Sequence, residues 1–317
     1  MNARTLRLSL ALAAIAALAP ISALAAPVPT ESVVTTADEF ELRLRTFGDD
    51  ATRPPVVMLT GGPGFAGEQL RSVAEALGET RRVLLPDQRG TGRSNPGPLV
   101  IDAAVYNYAQ AVSDLEAVRE SIGAETWSLA GHSWGGLLAM LYACEHPERV
   151  ESIALISPAG VESAFWRHYQ QNIFNNLTDA ERQGIGDIPL PEDDSPEALA
   201  TYIMGANKAM APAMLARKEA TDALRAEMTP ENFNPTVSLS MQDEMQNYDL
   251  RDELATLAAP VLIIQGDADP VGRMTADQIL DTIPNSTIHV IKQCGHWPMF
   301  ETPDVLNAAL RDFFGGE

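Results

Sequence analysis

Short aliphatic runs recur along the chain, separated by longer stretches in which apolar positions fall three and four residues apart. Val56–Thr60 and Arg82–Leu85 are such runs. Gly, Pro or Asp ends each of them, as is usual for strands buried on both faces. Trp127–Ala130, Ile153–Ile156, Val261–Ile264 and Thr287–Ile291 supply four more. Between Tyr108 and Ile122, the residues Val112, Leu115, Val118 and Ile122 take helical spacing, and Gly123 follows where a left-handed C-terminal glycine belongs. Ahead of these, Val33–Thr36 and Glu39–Thr46 read as a strand pair. Strands and helices alternating in this way predict an α/β class: a mostly parallel, doubly wound sheet.

The rhythm breaks between about Ser157 and Asn247, where strand patterns stop and helix starts continue. Thr178-x-x-Glu181 is a capping box, and Ser195-Pro196 and Thr229-Pro230 each place an N-cap before a proline at the first helical position. The predicted organisation is a core of residues 26–157 and 248–317 with a helical cap, 158–247, inserted after the sixth strand. Six of the eleven methionines (Met204, Met210, Met214, Met228, Met241 and Met245) fall in or beside that cap. Helix packing explains them, with a pliant pocket roof as the alternative.

The first 25 residues stand apart. Arg4 and Arg7 precede an apolar run from Leu8 to Leu18, and Ala23-Leu24-Ala25 has the small-x-small form of a cleavage site. This reads as a signal peptide, so an exported product, periplasmic or secreted, is expected. Its removal would take the formal charge from −21 to −23, since the segment holds two arginines and no acid. Such a charge disfavours nucleic acid, whose affinity comes from clustered Lys and Arg, and by the same sign disfavours stable association with an anionic membrane. The expected partner is a small-molecule or short-peptide substrate.

Gly131-His132-Ser133-Trp134-Gly135 follows the strand Trp127–Ala130 and opens a helix over Gly136–Glu145. A sharp strand-to-helix turn tolerates only small residues beside the serine, and it projects the hydroxyl above the sheet at a helix N-terminus. Ser133 is therefore the candidate nucleophile. A serine hydroxyl is weak at neutral pH and needs a base oriented by a third group. Of five histidines, His296 alone sits in a loop after the last strand, in Cys294-Gly295-His296-Trp297-Pro298. The acid comes from Gln265-Gly266-Asp267-Ala268-Asp269-Pro270, just past Val261–Ile264. There Asp269 is preferred and Asp267 is assigned to capping the loop. Two backbone N–H donors are needed for the oxyanion. Trp134, directly after the nucleophile, and Gly62, in the Gly61-Gly62-Pro63-Gly64 loop, are the candidates. No His, Cys, Asp and Glu grouping has metal-ligand spacing, and this chemistry calls for neither metal nor cofactor.

Export permits disulfides, but Cys144 lies eleven residues along the helix that starts at the serine, about 16 Å away. Cys294 belongs to the loop over the serine itself. Disulfide Cα atoms stand within about 7 Å of each other, so both cysteines are expected to be free.

The order Ser133, Asp269, His296 is that of the α/β-hydrolase fold. Gly61-Gly62-Pro63-Gly64, Asp87-Gln88-Arg89-Gly90-Thr91-Gly92-Arg93-Ser94 and Gly131-x-Ser133-Trp134-Gly135-Gly136, in that order, resemble the prolyl aminopeptidase (proline iminopeptidase) family of that fold. The likeness covers about Val56 to Ile156 and resumes from Tyr248 to Phe314. It implies a serine peptidase that removes an N-terminal residue, often proline, with acidic side chains near the cap holding the free amine. The Asp-Gln-Arg-Gly run is expected to be structural, with Arg89 buttressing the rim. Three positions depart from the family pattern: Pro270 follows the acid where some tricorn-associated relatives carry Glu, Thr60 replaces a His, and the cap glutamate before an aromatic is only loosely echoed by Glu231-Asn232-Phe233. Glu231 and Glu244 are the amine-binding candidates, with Asp243 a rival. Two other readings stand beside the aminopeptidase: a carboxylesterase or lactonase with the same triad, and a non-catalytic binding module, against which an intact triad counts.

Overall fold

The computed structural model describes residues 28–315, so the segment 1–25 read as a signal peptide lies outside the described residues. Eight strands form one sheet: β1 (Thr30–Thr35), β2 (Glu41–Phe47), β3 (Val56–Leu59), β4 (Val83–Pro86), β5 (Trp127–His132), β6 (Val150–Ile156), β7 (Val261–Gly266) and β8 (Ser286–Ile291). Their spatial order is β1-β2-β4-β3-β5-β6-β7-β8. The hairpin β1–β2 and the β2–β4 pair are antiparallel, and every other pair is parallel.

β1 begins at Thr30, three residues ahead of the expected Val33, and two other strand starts are displaced by two or more residues. β2 begins at Glu41 because Glu39 takes φ +65° in a turn closed by Thr36 N–H to the Phe40 carbonyl at 2.9 Å. β6 begins at Val150, before its aliphatic run, since Glu151 and Ser152 are not fully buried and hide the strand's first pairings.

The period of two along the central strands divides the core. Val57, Leu59, Leu129, Ile153, Leu155 and Ile263 join one apolar cluster, whereas Val56, Met58, Ala130, Ala154, Ile156 and Ile264 join the other. Helices α1 (Arg71–Gly78), α2 (Tyr108–Ser121) and α3 (Trp134–Glu145) supply the first covering layers. Leu115, Val118 and Leu137 of α2 and α3 pack into one cluster, and Val73 and Leu77 of α1 into the other. The strands are thus apolar on both sides, which is why they read as continuous runs.

Between β6 and β7 lie α4 (Phe165–Asn176), α5 (Asp179–Gly186), α6 (Pro196–Met210), α7 (Thr221–Glu227), α8 (Pro235–Ser240), α9 (Gln242–Met245) and α10 (Arg251–Leu254). Thr178 and Glu181 form the full capping box of α5, and Ser195 caps α6 with Pro196 in its first turn. Thr229-Pro230 opens no helix. Its backbone closes a turn, Phe233 N–H to the Thr229 carbonyl at 2.8 Å, which lets Phe233 bridge to Phe65. The same start signal recurs at Asn234-Pro235, where Asn234 accepts from Thr236 N–H and α8 begins. The chain ends with α11 (Arg273–Thr282), α12 (Pro298–Glu301) and α13 (Pro303–Gly315). Among the described residues no helix is long and apolar enough to cross a membrane.

Candidate active site

The loops that follow β3, β5, β7 and β8 meet at the C-terminal edge of the parallel sheet, where ligands of open α/β sheets bind. Ser133 connects β5 to α3 with φ +53° and ψ −112°, a strained conformation for a residue with a side chain. It survives because its neighbours lack Cβ atoms. A Cβ on Gly131 would stand 2.1 Å from the Gly135 carbonyl oxygen, and one on Gly135 would stand 2.1 Å from that of Leu59. Ser133 N–H is meanwhile anchored to the Ile156 carbonyl of the next strand at 3.0 Å.

The structure brings the serine, the histidine and the preferred aspartate together. His296 Nε2 lies 3.1 Å from Ser133 Oγ, and His296 Nδ1 lies 3.0 Å from Asp269 Oδ1. With Nδ1–H donating to the carboxylate, Nε2 is left to accept the serine proton. Burial pushes the Asp269 carboxyl up, but the charge and hydrogen bond of His296 outweigh it. A bond from Val271 N–H to Oδ1 (2.9 Å) assists, and the group stays below the usual carboxylate range. Asp267 instead faces Cys294 N–H and, at 3.7 Å, Lys292 Nζ, so it caps the loop.

Gly62, in the loop after β3, and Trp134, the first residue of α3, are the expected oxyanion donors. Among the described residues neither backbone N–H has a hydrogen-bond partner, whereas the adjacent Gly61 N–H is taken by Gln69 Oε1 at 2.7 Å. Gln88 fixes both loops at once. Its Nε2 donates to the Thr60 carbonyl and Oγ1 at 3.0 and 2.9 Å, and its Oε1 accepts the Trp134 indole N–H at 2.9 Å. Its neighbours in the run serve the rim. Asp87 accepts from Gly67 N–H at 2.8 Å and from Arg93 N–H at 3.1 Å. Arg89 donates to both oxygens of Asp114 and both of Asp38, over the Phe40 ring.

Ser133 and His296 open into a cavity of about 830 Å³. Phe65, Phe165, Trp166, Tyr169, Phe233 and Trp297 give it aromatic walls, and Met214, Met228 and Met245 contribute three of the six cap methionines. Neither amine-binding candidate from the sequence lines it. Glu231 is solvent-exposed and bonds within its own turn, while Glu244 accepts Tyr108 N–H at 2.8 Å and so caps α2. An acid at a helix start is as well suited to satisfy backbone N–H groups as to meet a ligand. Among the described residues the carboxylate that lines the cavity is Glu162, which sequence reading missed because it sits in the irregular stretch after β6. Gln278 Nε2 donates to its Oε1, and Arg251 lies 3.5 Å from its Oε2.

Both cysteines are free, Cys144 half-buried and Cys294 buried. Among the described residues no group of three or more His, Cys, Asp and Glu side chains could hold a metal ion.

Relatives of similar length match most of the chain, proline iminopeptidases among them. A proline iminopeptidase of Lactobacillus helveticus (strain DPC 4571) is 26% identical over 287 residues, covering 86% of this chain and 94% of that one. A proline iminopeptidase of Lactobacillus delbrueckii subsp. lactis is 29% identical over 282 residues, covering 85% and 92%. Among solved structures, a thermophilic esterase from Thermogutta terrifontis superposes with a TM-score of 0.65 at 22% identity, covering 90% of this chain and 98% of that one. At that identity the likeness is one of fold. The family model for the alpha/beta hydrolase fold matches residues 54–303, so the chain belongs to the α/β-hydrolase family.

Proposed function

We propose that this protein is an exported serine hydrolase that works through an acyl-enzyme on Ser133 and releases N-terminal residues, proline among them, from short peptides. The observation that carries the chemistry is the continuous relay from Asp269 Oδ1 through His296 to Ser133 Oγ, with bonds of 3.0 and 3.1 Å. Ser133 Oγ attacks the substrate carbonyl carbon as its proton passes to His296 Nε2, and Asp269 stabilises the imidazolium. The oxyanion falls to the unpartnered N–H groups of Gly62 and Trp134, which need no reorganisation to receive it. The leaving amine takes the proton from His296. Water then attacks the acyl-enzyme, giving a proton to the same imidazole, and Ser133 leaves with one.

The peptide reading is supported by the two proline iminopeptidases, which align over 94% and 92% of their lengths. Within the cavity, Glu162 is the carboxylate available to a substrate α-ammonium group. Export is supported by the Arg-flanked apolar segment and small-x-small pattern of residues 1–25.

A second reading, an ester hydrolase, is favoured by one observation: both Glu162 oxygens already have partners in Gln278 and Arg251. Rates on a proline anilide with a free amine, its N-acetyl form and a short-chain aryl ester separate the two. Losing the charged amine that pairs with a shielded carboxylate should lower kcat/KM at least about 10²-fold, equivalent to about 2.7 kcal/mol. Glu162→Gln should reproduce part of that loss on the free amine and leave the ester rate alone. Equal rates on free and blocked anilides, with fastest turnover on the ester, would exclude the aminopeptidase.

A further inference from the structure

One buried carboxylate near the relay has no part in the proton transfer. Glu301 ends α12 and is 4% exposed. Its Oε1 accepts Gly295 N–H at 2.9 Å and Trp297 N–H at 3.4 Å, the amides on either side of His296. Its Oε2 accepts Ala216 N–H at 2.8 Å and Arg217 N–H at 2.9 Å, which lie in the long insertion between β6 and β7. No cation pairs with it among the described residues, and four backbone donors satisfy it instead. Isolated in such a place a carboxylate would be strongly destabilising, so the arrangement is maintained only while both segments stay docked.

Two further bonds join the same segments. His296 N–H donates to the Met214 carbonyl at 2.8 Å, and the Trp297 indole N–H faces Met214 Sδ at 3.4 Å. Met214 and Trp297 are both cavity walls. The loop that carries the histidine and the segment 214–217, whose Met214 lines the cavity, therefore share one anchor.

We propose that Glu301 is a positioning residue that holds the His296 imidazole over Ser133 and fixes the 214–217 wall to the same loop, so that the base and the cavity move as one body. This rests on the reading of Ser133, His296 and Asp269 as the catalytic relay. Glutamine at this position would turn an NH2 toward two of the four N–H donors and release one side of the anchor. A displacement of about 1 Å at a catalytic group costs on the order of 10²-fold in rate.

The test uses the full chain carrying Glu301→Gln or Glu301→Asp, with folding checked by near-UV circular dichroism and thermal melting. In folded Glu301→Gln, kcat should fall about 10- to 100-fold. Labelling of Ser133 by a small fluorophosphonate, which needs the base but no fit to the cavity, should slow by the same factor. Amide exchange should rise at residues 295–297 and 214–217 together. Glu301→Asp, which keeps the charge on a shorter stem, should recover part of the rate, and it carries the test alone if the Gln variant does not fold. A role confined to stability would lower the melting temperature without moving kcat or labelling in the folded protein, and that result would overturn the proposal. If wild-type Ser133 is not labelled at all, the relay itself fails, and the role of Glu301 with it.

Discussion

His132 donates its Nε2–H to the main-chain carbonyl of His296 at 2.8 Å, and the two imidazole rings lie 5.0 Å apart. Complete burial, helped by the charge of the neighbouring imidazole, drives the pKa of His132 down to about 3. It is therefore a neutral imidazole with its proton on Nε2. The variable position of the Gly-x-Ser-x-Gly turn thus grips the loop that brings the base to the nucleophile.

Replacing His132 by Phe keeps the bulk and leaves the His296 carbonyl unpaired in a buried place. The expected cost is about 1–3 kcal/mol of stability. If half of that cost is transferred to the barrier by a shift of the loop, kcat should fall about 2- to 13-fold. Thermal unfolding and steady-state kinetics check both, and a variant indistinguishable from wild type in each would show that the bond carries nothing.

Ser133→Ala and His296→Ala should each abolish nearly all turnover with the fold retained, and the double variant should be no slower than either, because the relay acts as a unit. Asp269→Asn should cost about 10⁴-fold, since the amide favours the wrong tautomer of His296. Asp267→Asn should leave kcat within about twofold, as expected of a substitution outside the relay. A larger effect at Asp267 than at Asp269 would reassign the acid.

Gln88→Leu removes the side chain that ties Thr60 to the Trp134 indole. The proposed oxyanion donors Gly62 and Trp134 lie on the loop and the helix start it ties together, so kcat should drop about 10- to 10²-fold with KM changed little, the pattern of a contact that matters in the transition state. A rise in KM alone would place Gln88 in substrate binding instead.

The sheet was legible because its central strands are apolar on both faces, and the loops carrying Gly62, Ser133 and Asp269 begin where β3, β5 and β7 end, while the His296 loop follows the half-exposed edge strand β8. Ser133, His296 and Asp269 could be chosen by position, because a relay must be assembled on one rim of the sheet. Substrate recognition was not legible. Glu231 and Glu244 look like ligand groups in the sequence, yet one faces solvent and the other caps α2. Glu162 and Glu301 make contacts across 116 and 85 residues of chain, to Gln278 and Ala216, and no local pattern announces such pairs. Thr229-Pro230 and Asn234-Pro235 carry the same start signal; the turn that seats Phe233 against Phe65 decides between them.

The Glu116 carboxyl is held down to about 2 by its hydrogen bond to Arg119, against the opposing effect of burial and with help from the Tyr142 hydroxyl. A carboxyl lowered on folding adds stability that is fully present above its unfolded pKa and fades as pH falls toward the folded value. The stability gap between wild type and Glu116→Gln should therefore be constant near neutrality and narrow as pH drops from about 4.5 toward 2. Chemical unfolding at a series of pH values measures it, and a gap that widens with acidity would reverse the assignment.

A covalent intermediate on Ser133 would be caught by intact-mass analysis after rapid mixing with an aryl ester. A transient mass increase equal to one acyl group per chain is expected, located on Ser133, absent from Ser133→Ala and slow to form in His296→Ala. Steady turnover with no acylated protein, or an adduct that persists when Ser133 is replaced, would contradict it.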